Sequence, residues 1–207
     1  MEEIIDQLRR SARAGQVIQR PDISGLNLQR IDLTELQAES LQARDTNLRE
    51  CLLTGAQLVE ADFEGALLDG AHLASANLGM AVLDRASLRG ASLEGALFSI
   101  GYCRDAVLED ADLRGAVLTG SLFFGSQLDR ANLREVNAEH AGFNRCSMTG
   151  ADLRGGHFAD ASFQRADLNG ANLSQGDFSR ADFREAKLDG VVWTGADLTG
   201  ARFDERG

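Results

Sequence analysis

The side chains in this sequence with the most reactive chemistry are three histidines (His72, His140, His157), three cysteines (Cys51, Cys103, Cys146) and a set of aspartates that includes Asp112, Asp152, Asp167, Asp177, Asp182 and Asp197. An imidazole beside a serine, thiol or carboxylate would do acid–base or nucleophilic work. Thiols and imidazoles brought together would hold zinc, and clustered carboxylates calcium. Which of these groups meet depends on the elements that carry them, and those elements follow from one regularity.

From Ala106 to Gly120 the chain reads Ala-Val-Leu-Glu-Asp, Ala-Asp-Leu-Arg-Gly, Ala-Val-Leu-Thr-Gly. With Leu113 as phase, every fifth position runs from Ile23 to Phe203 without insertion or deletion, which makes 37 pentads over residues 21–205. Their central residues are 21 Leu, nine Phe and seven others, and two positions earlier the residue is mostly Ala. On an α-helix five residues turn through about 500°, so the leucines would spiral around the axis. On a flat strand they would alternate between faces. Within a pentad the Ala and the Leu are two apart and share one face of an extended segment, so each pentad reads as a short extended piece followed by a turn. Of the 22 glycines, 15 fall two residues after the centre, where a turn needing positive φ favours glycine. Phe pairs recur five times at a separation of 20 and twice at 15, so four pentads are expected to close one coil.

The tandem units Ala111-Asp-Leu-Arg-Gly, Ala131-Asn-Leu-Arg-Glu, Ala166-Asp-Leu-Asn-Gly and Ala171-Asn-Leu-Ser-Gln resemble those of the pentapeptide-repeat family, over nearly the whole chain. The resemblance implies an all-β fold, a right-handed quadrilateral parallel β-helix whose Ala and Leu/Phe point inward. About nine coils, stacked at the usual strand spacing, would be on the order of 45 Å long. Residues 1–20 are expected to form an N-terminal capping helix and linker, 21–205 the β-helix and 206–207 a C-terminal tail. In the helix, Ile4, Ile5, Leu8 and Ala12 form one stripe, acids precede bases, and Gly15 is the expected stop. Such a lid would cover the open strand edge and core of the first coil.

On this frame the reactive groups stay apart. The histidines fall at outward positions with no partner placed beside them, and the aspartates are spread over four faces. The cysteines occupy inward positions in non-neighbouring coils, too distant to pair or to share a metal. Asn172-Leu173-Ser174 matches a glycosylation acceptor but is simply one unit of the repeat. The sequence therefore predicts neither an enzyme nor a cofactor or metal site. A net charge of -11, from 32 acids against 21 bases, argues against direct binding to nucleic acid or an anionic membrane. No run of 18 apolar residues and no leader pattern occurs, so a cytoplasmic protein is expected.

The remaining signal is on the surface. Labelling the four faces by their first centres, Ile23, Leu28, Leu33 and Ala38, makes the Ala38 face the most acidic, with six acids and Arg180 its one base. Val82, Tyr102 and Leu122 should stack on the Ile23 face with Phe124 beside them. Met80 and Ile100 should stack at the adjoining corner, and Leu97 and Val117 continue onto the Ala38 face. Contiguous exposed apolar groups mark interfaces, so these eight are the expected partner-binding residues of a protein-interaction scaffold. The Tyr102 pentad has two small inward residues, Gly101 and Cys103, and is expected to give up core volume. In the last coil Trp193, Leu198 and Phe203 are expected to support self-association as a homodimer, because nothing helical follows to cover them. Two alternatives come from the resemblance: an inhibitor or protector of DNA gyrase or topoisomerase acting as a DNA mimic, and an adaptor of a bacterial secretion system. In family members that inhibit type II topoisomerases a C-terminal helix and end-to-end dimerisation are typical, and the absence of a helical pattern after the last pentads of this sequence weakens that analogy. The arginines on the Ile23 face, and Arg114, Arg134 and Arg154 on the Leu33 face, interrupt the carboxylate rows that mimicry requires.

Overall fold

The computed structural model describes residues 2–204 of the chain; the end of the expected repeat at 205 and the tail at 206–207 lie outside them. Helix α1 (Glu2–Ala14) begins with Glu2 and Glu3 and carries Arg13 in its last turn, the order that favours a helix dipole. Gly15, at φ 65°, ends it and donates its N–H to the Ser11 carbonyl at 2.8 Å. Leu8 is fully buried, and Ile4, Ile5 and Ala12 pack against the core of the first coil. The Ser11 hydroxyl donates to the Gln16 carbonyl at 2.5 Å and accepts the Gln37 N–H at 3.3 Å, which stitches the lid to the first strand edge.

Strand β1 (Ile18–Gln19) pairs in parallel with β2 (Ala38–Glu39), so the ladder starts three residues before the boundary drawn at Pro21. From there every bridge joins residue i to i+20, from Asp22↔Gln42 to Asp182↔Arg202. Four pentads therefore close each coil of a right-handed quadrilateral β-helix. Each pentad bonds its neighbours in three ways. In the coil around Leu58, the Gln57 N–H reaches back to the Leu36 carbonyl, the Leu58 N–H forward to Asn77, and the Ala61 N–H closes the turn on Leu58.

The turn imposes a left-handed backbone at every fifth residue from Arg20 to Gly200, and 22 of these residues are not glycine. Glycine is thus favoured at the turn without being required, and the other residues bear a conformational cost of about 1–2 kcal/mol each. One N–H per pentad, on the residue after the centre, has no backbone acceptor. The Asp or Asn that precedes the centre accepts it, as Asp32 does from Thr34 at 3.1 Å and Asp177 from Ser179 at 2.9 Å. This local Asx bond accounts for the recurrent Ala-(Asp/Asn)-Leu triplet.

Inside, the Ala and Leu/Phe positions form continuous buried columns. Phe123, Phe143, Phe163, Phe183 and Phe203 stack with centroids 5.0, 5.2, 5.0 and 5.3 Å apart, as the separation of 20 requires. Where Thr46, Ser121, Ser126 or Cys146 replaces the inward Ala, its side chain donates to the carbonyl 23 residues earlier, and among the described residues no buried side-chain nitrogen or oxygen lacks a partner.

Candidate functional site: an apolar surface at mid-solenoid

The bridges assemble the eight apolar residues into neighbouring stacks. Val82, Tyr102 and Leu122 follow one another on the Ile23 face, between Asp62 and Gly142. Leu97 and Val117 stack on the Ala38 face between Asn77 and Asn137. At the corner between the faces stand Met80 and Ile100, with Ile100 63% exposed. Leu97, Tyr102, Leu122 and Phe124 are also exposed, while Val82 and Val117 are half-buried. Only four other large apolar side chains, Val17, Leu52, Val192 and Phe203, are exposed among the described residues.

Three local costs coincide here. Met80 and Ile100 occupy turn positions with φ of 58° and 56°, and a β-branched residue is the least suited to that conformation. Leu97 and Val117 stand in a column where Asn77, Asn137, Asp177 and Asp197 accept the N–H two positions on, a bond that Gln37, Gln57 and His157 also do without. The N–H groups of Ser99 and Thr119 consequently face no acceptor among the described residues. Finally, the apolar side chains themselves are open to water.

Tyr102 is flanked by Arg104, whose guanidinium lies 5.1 Å from the ring centroid. Arg104 is held in turn by Asp84, which accepts its backbone N–H at 2.8 Å and Nε at 2.9 Å. That hydrogen-bonded carboxylate, only 7% exposed, raises the guanidinium's pKa. Arg145 lies over the Phe124 ring at 5.3 Å. Beneath the patch, the expected loss of core volume is only partly present. A Cβ on Gly101 would lie 2.4 Å from Phe98 Cε2, so the Phe98 ring takes the space that an alanine would have filled. A gap of about 10 Å³ remains, lined by Cys103, Phe98, Leu83 and Phe123 among others. Its lining is apolar and offers a water no hydrogen-bond partner.

The arginines that interrupt the acidic rows are mostly tied to carboxylates in adjoining coils or their own pentad. Arg44 pairs with Asp62 at 2.6 Å, Arg165 with Glu185 at 2.7 Å and Arg184 with Asp182 at 2.5 Å; Arg85 pairs with Glu64. On the Leu33 face Arg114 and Arg154 bind Asp112 and Asp152, so two members of the expected basic column are neutralised where they stand.

His72, His140 and His157 are exposed, and no group of three potential metal ligands converges among the described residues. The cysteines are buried and unpaired. Burial pushes the Cys51 and Cys146 thiols up to about 12 and raises Cys103 as well. In the last coil Trp193 and Leu198 are half-buried and Phe203 exposed. Trp193 meets the Phe183 ring edge-on at 5.4 Å, and the N–H groups of Trp193 and Leu198 have no backbone acceptor among the described residues. No helix among them is long and apolar enough to cross a membrane.

A family model described as a pentapeptide repeat region matches residues 136–206, and one described as pentapeptide repeats (8 copies) matches 42–70, 66–99 and 102–137. No curated protein matches the chain. Among solved structures, HetL from the cyanobacterium Nostoc sp. strain PCC 7120, a pentapeptide repeat protein involved in heterocyst differentiation regulation, is 27% identical over 95% of each chain, with a TM-score of 0.44. A trypsin-treated form of QnrB1, a plasmid-mediated fluoroquinolone resistance protein, is 19% identical over 90% of each chain, with a TM-score of 0.51. A pentapeptide repeat protein from the Arabidopsis thaliana thylakoid lumen is 23% identical over 57% of this chain and 66% of its own, with a TM-score of 0.36.

Proposed function

Because the chain belongs to the pentapeptide-repeat family, we propose that it is a non-enzymatic scaffold that presents the mid-solenoid apolar surface, bordered by carboxylates, to another protein. The observation that carries this reading is the coincidence of costs in coils 80–122. A left-handed isoleucine and six exposed apolar side chains both lower the stability of an isolated solenoid. Each becomes useful only when a partner covers the surface. We also propose the open coil around Trp193, Leu198 and Phe203 as a self-association surface, and the cytoplasm as the compartment, which would keep three unpaired thiols reduced. The likeness to QnrB1 bears on the fold alone. Mimicry of DNA finds little support in acidic rows broken by intramolecular ion pairs.

The test is substitution at the centre of the patch. Tyr102→Asp and Leu122→Asp should leave the thermal midpoint nearly unchanged and weaken the complex with the native partner by at least about 2 kcal/mol, as substitution of a central interface residue does. Identical partner profiles from the native host for wild type and both folded variants would return the patch to drift in the repeat.

A further inference from the structure

On the Ala38 face two rows of larger apolar side chains flank a row of small residues, and by side-chain size this makes a trough along the solenoid axis. One wall is Leu97 and Val117; the other is Met80 and Ile100 at the corner. Between the walls lie Gly79, Ser99 and Thr119, small and only partly exposed. From Glu60 to Glu139 no outward position on this face bears a charge, in a chain whose residues are 26% charged. Carboxylates close both ends: Glu39 and Glu60 on the α1 side, Glu139 and Asp177 on the other. None of these four is in an ion pair among the described residues, whereas Asp160 is held by Arg180. Arg20, which precedes Ser40 in the corner column, is the one further base on the face. Glu39 and Glu139 share a column five coils apart, which is about 24 Å at the usual strand spacing.

These features select the occupant. A second copy laid antiparallel would set Glu39 and Glu60 against Glu139 and Asp177, and a parallel one would set each against itself, so like charges would oppose at both ends. An added β-strand is excluded by the ladder. The N–H groups of Leu97, Phe98, Ile100 and Val117 are already given to carbonyls of adjacent coils at 2.8–3.0 Å. The free donors, Ser99 and Thr119, sit in turns of successive coils and do not make the alternating donor and acceptor row of a sheet edge. A bound segment must therefore bond its own backbone, as an α-helix does.

We infer that the trough binds an amphipathic α-helix of a partner protein, about 16 residues long at 1.5 Å per residue, lying along the solenoid axis with its apolar stripe over Leu97, Ile100 and Val117 and with Lys or Arg in its first and last turns. This rests on reading the patch as a binding surface and adds the form of the segment that binds; Tyr102 and Leu122, around the corner, contact the rest of the partner.

The experiment is selection of a displayed library of peptides about 18 residues long, long enough to span the trough as a helix, with helical, extended, acidic and basic members, on the full chain. Enriched peptides are then measured by fluorescence anisotropy against wild type, Leu97→Asp, Leu122→Asp and Glu139→Lys, each checked for an unchanged thermal midpoint. The expected binders carry apolar residues at i, i+3 or i+4 and i+7 with bases at both ends, and gain helical circular dichroism on binding. They weaken at least about tenfold on Leu97→Asp and on Glu139→Lys and hold within about twofold on Leu122→Asp, tenfold being about 1.4 kcal/mol. Glu139→Lys keeps the test decisive if Leu97→Asp fails to fold. Binders that respond to Leu97→Asp but are extended or acid-ended would overturn the helix and leave the patch reading standing. No enrichment, or binders indifferent to every substitution, would overturn both.

Discussion

At the scale of single residues, Ile100 is where stability and surface chemistry part. It is β-branched, left-handed and 63% exposed, and the next residue in its column is Gly120. Relief of a left-handed non-glycine backbone is worth about 1–2 kcal/mol, less the entropy a glycine adds to the unfolded chain. Ile100→Gly should therefore raise unfolding free energy in urea by up to about 1 kcal/mol while weakening the partner complex; a less stable variant would show that the side chain is there for packing. Asp182 makes a different case. It is 8% exposed and receives bonds from Arg184 Nε at 2.9 Å and Gln164 Nε2 at 2.7 Å, and the Arg184 bonds foremost hold its carboxyl well below the usual range. A lowered folded pKa means that the unfolded chain binds more protons in acid. The stabilisation is complete above the unfolded value of about 4 and is lost as pH falls from there toward the folded value. Thermal midpoints from neutral pH into acid should fall less steeply below pH ~4 for Asp182→Asn than for wild type, and parallel curves would remove Asp182 from the acid response.

At the scale of the pentad, two inward positions share one volume, either across a turn or within one pentad. Gly101 is small because the Phe98 ring of the preceding pentad fills its place, and Gly156 and Gly176 likewise lie 2.5 Å from the rings of Phe158 and Phe178 when a Cβ is added. Gly101→Ala should cost about 1–3 kcal/mol through overpacking of a ring that cannot leave its column. Phe98→Leu in the same chain should recover most of that loss, so the double mutant would be more stable than the two single effects predict. Additive losses in chemical denaturation would show that the two side chains do not compete. Read along the chain, Gly101 and Cys103 look like a pentad short of core. The competition becomes visible only when the ring's direction is known, because a Phe at the centre can turn toward either flanking small position.

At the scale of the whole molecule, the solenoid has one closed and one open end among the described residues. At the first, α1 buries Leu8 and lends Ser11 to the Gln37 N–H. At the second, Ala186, Leu188, Val191, Trp193, Ala196, Leu198 and Ala201 are only partly buried, whereas their counterparts one coil earlier are enclosed. Apolar surface together with unpaired N–H groups is what a stacked partner coil would cover. Sedimentation should therefore show mass rising with concentration, and Leu198→Glu should hold the protein monomeric. A wild-type monomer up to high micromolar protein would count against pairing at this end.

How much of this was legible in the sequence follows from what a period of five specifies. Once Ala and Leu recur without interruption from Ile23 to Phe203, the coil length, the inward columns, the stacked phenylalanines and the neighbours of Tyr102 are all determined, because each residue's partner is the one 20 positions away. The lid was legible too, since its 3.6-residue stripe breaks that period. Tertiary structure alone decided what depends on the direction of a side chain or a backbone hydrogen. It showed that the fifth position is left-handed even for Ile100, and that the Asp or Asn before the centre caps an N–H two residues on. It also showed that Arg114 and Arg154 turn back onto Asp112 and Asp152 instead of lining a basic column. Spacing places a residue on a face; which of several nearby acceptors its donors reach is set by local rotamers and turn geometry, for which a periodic sequence carries no mark.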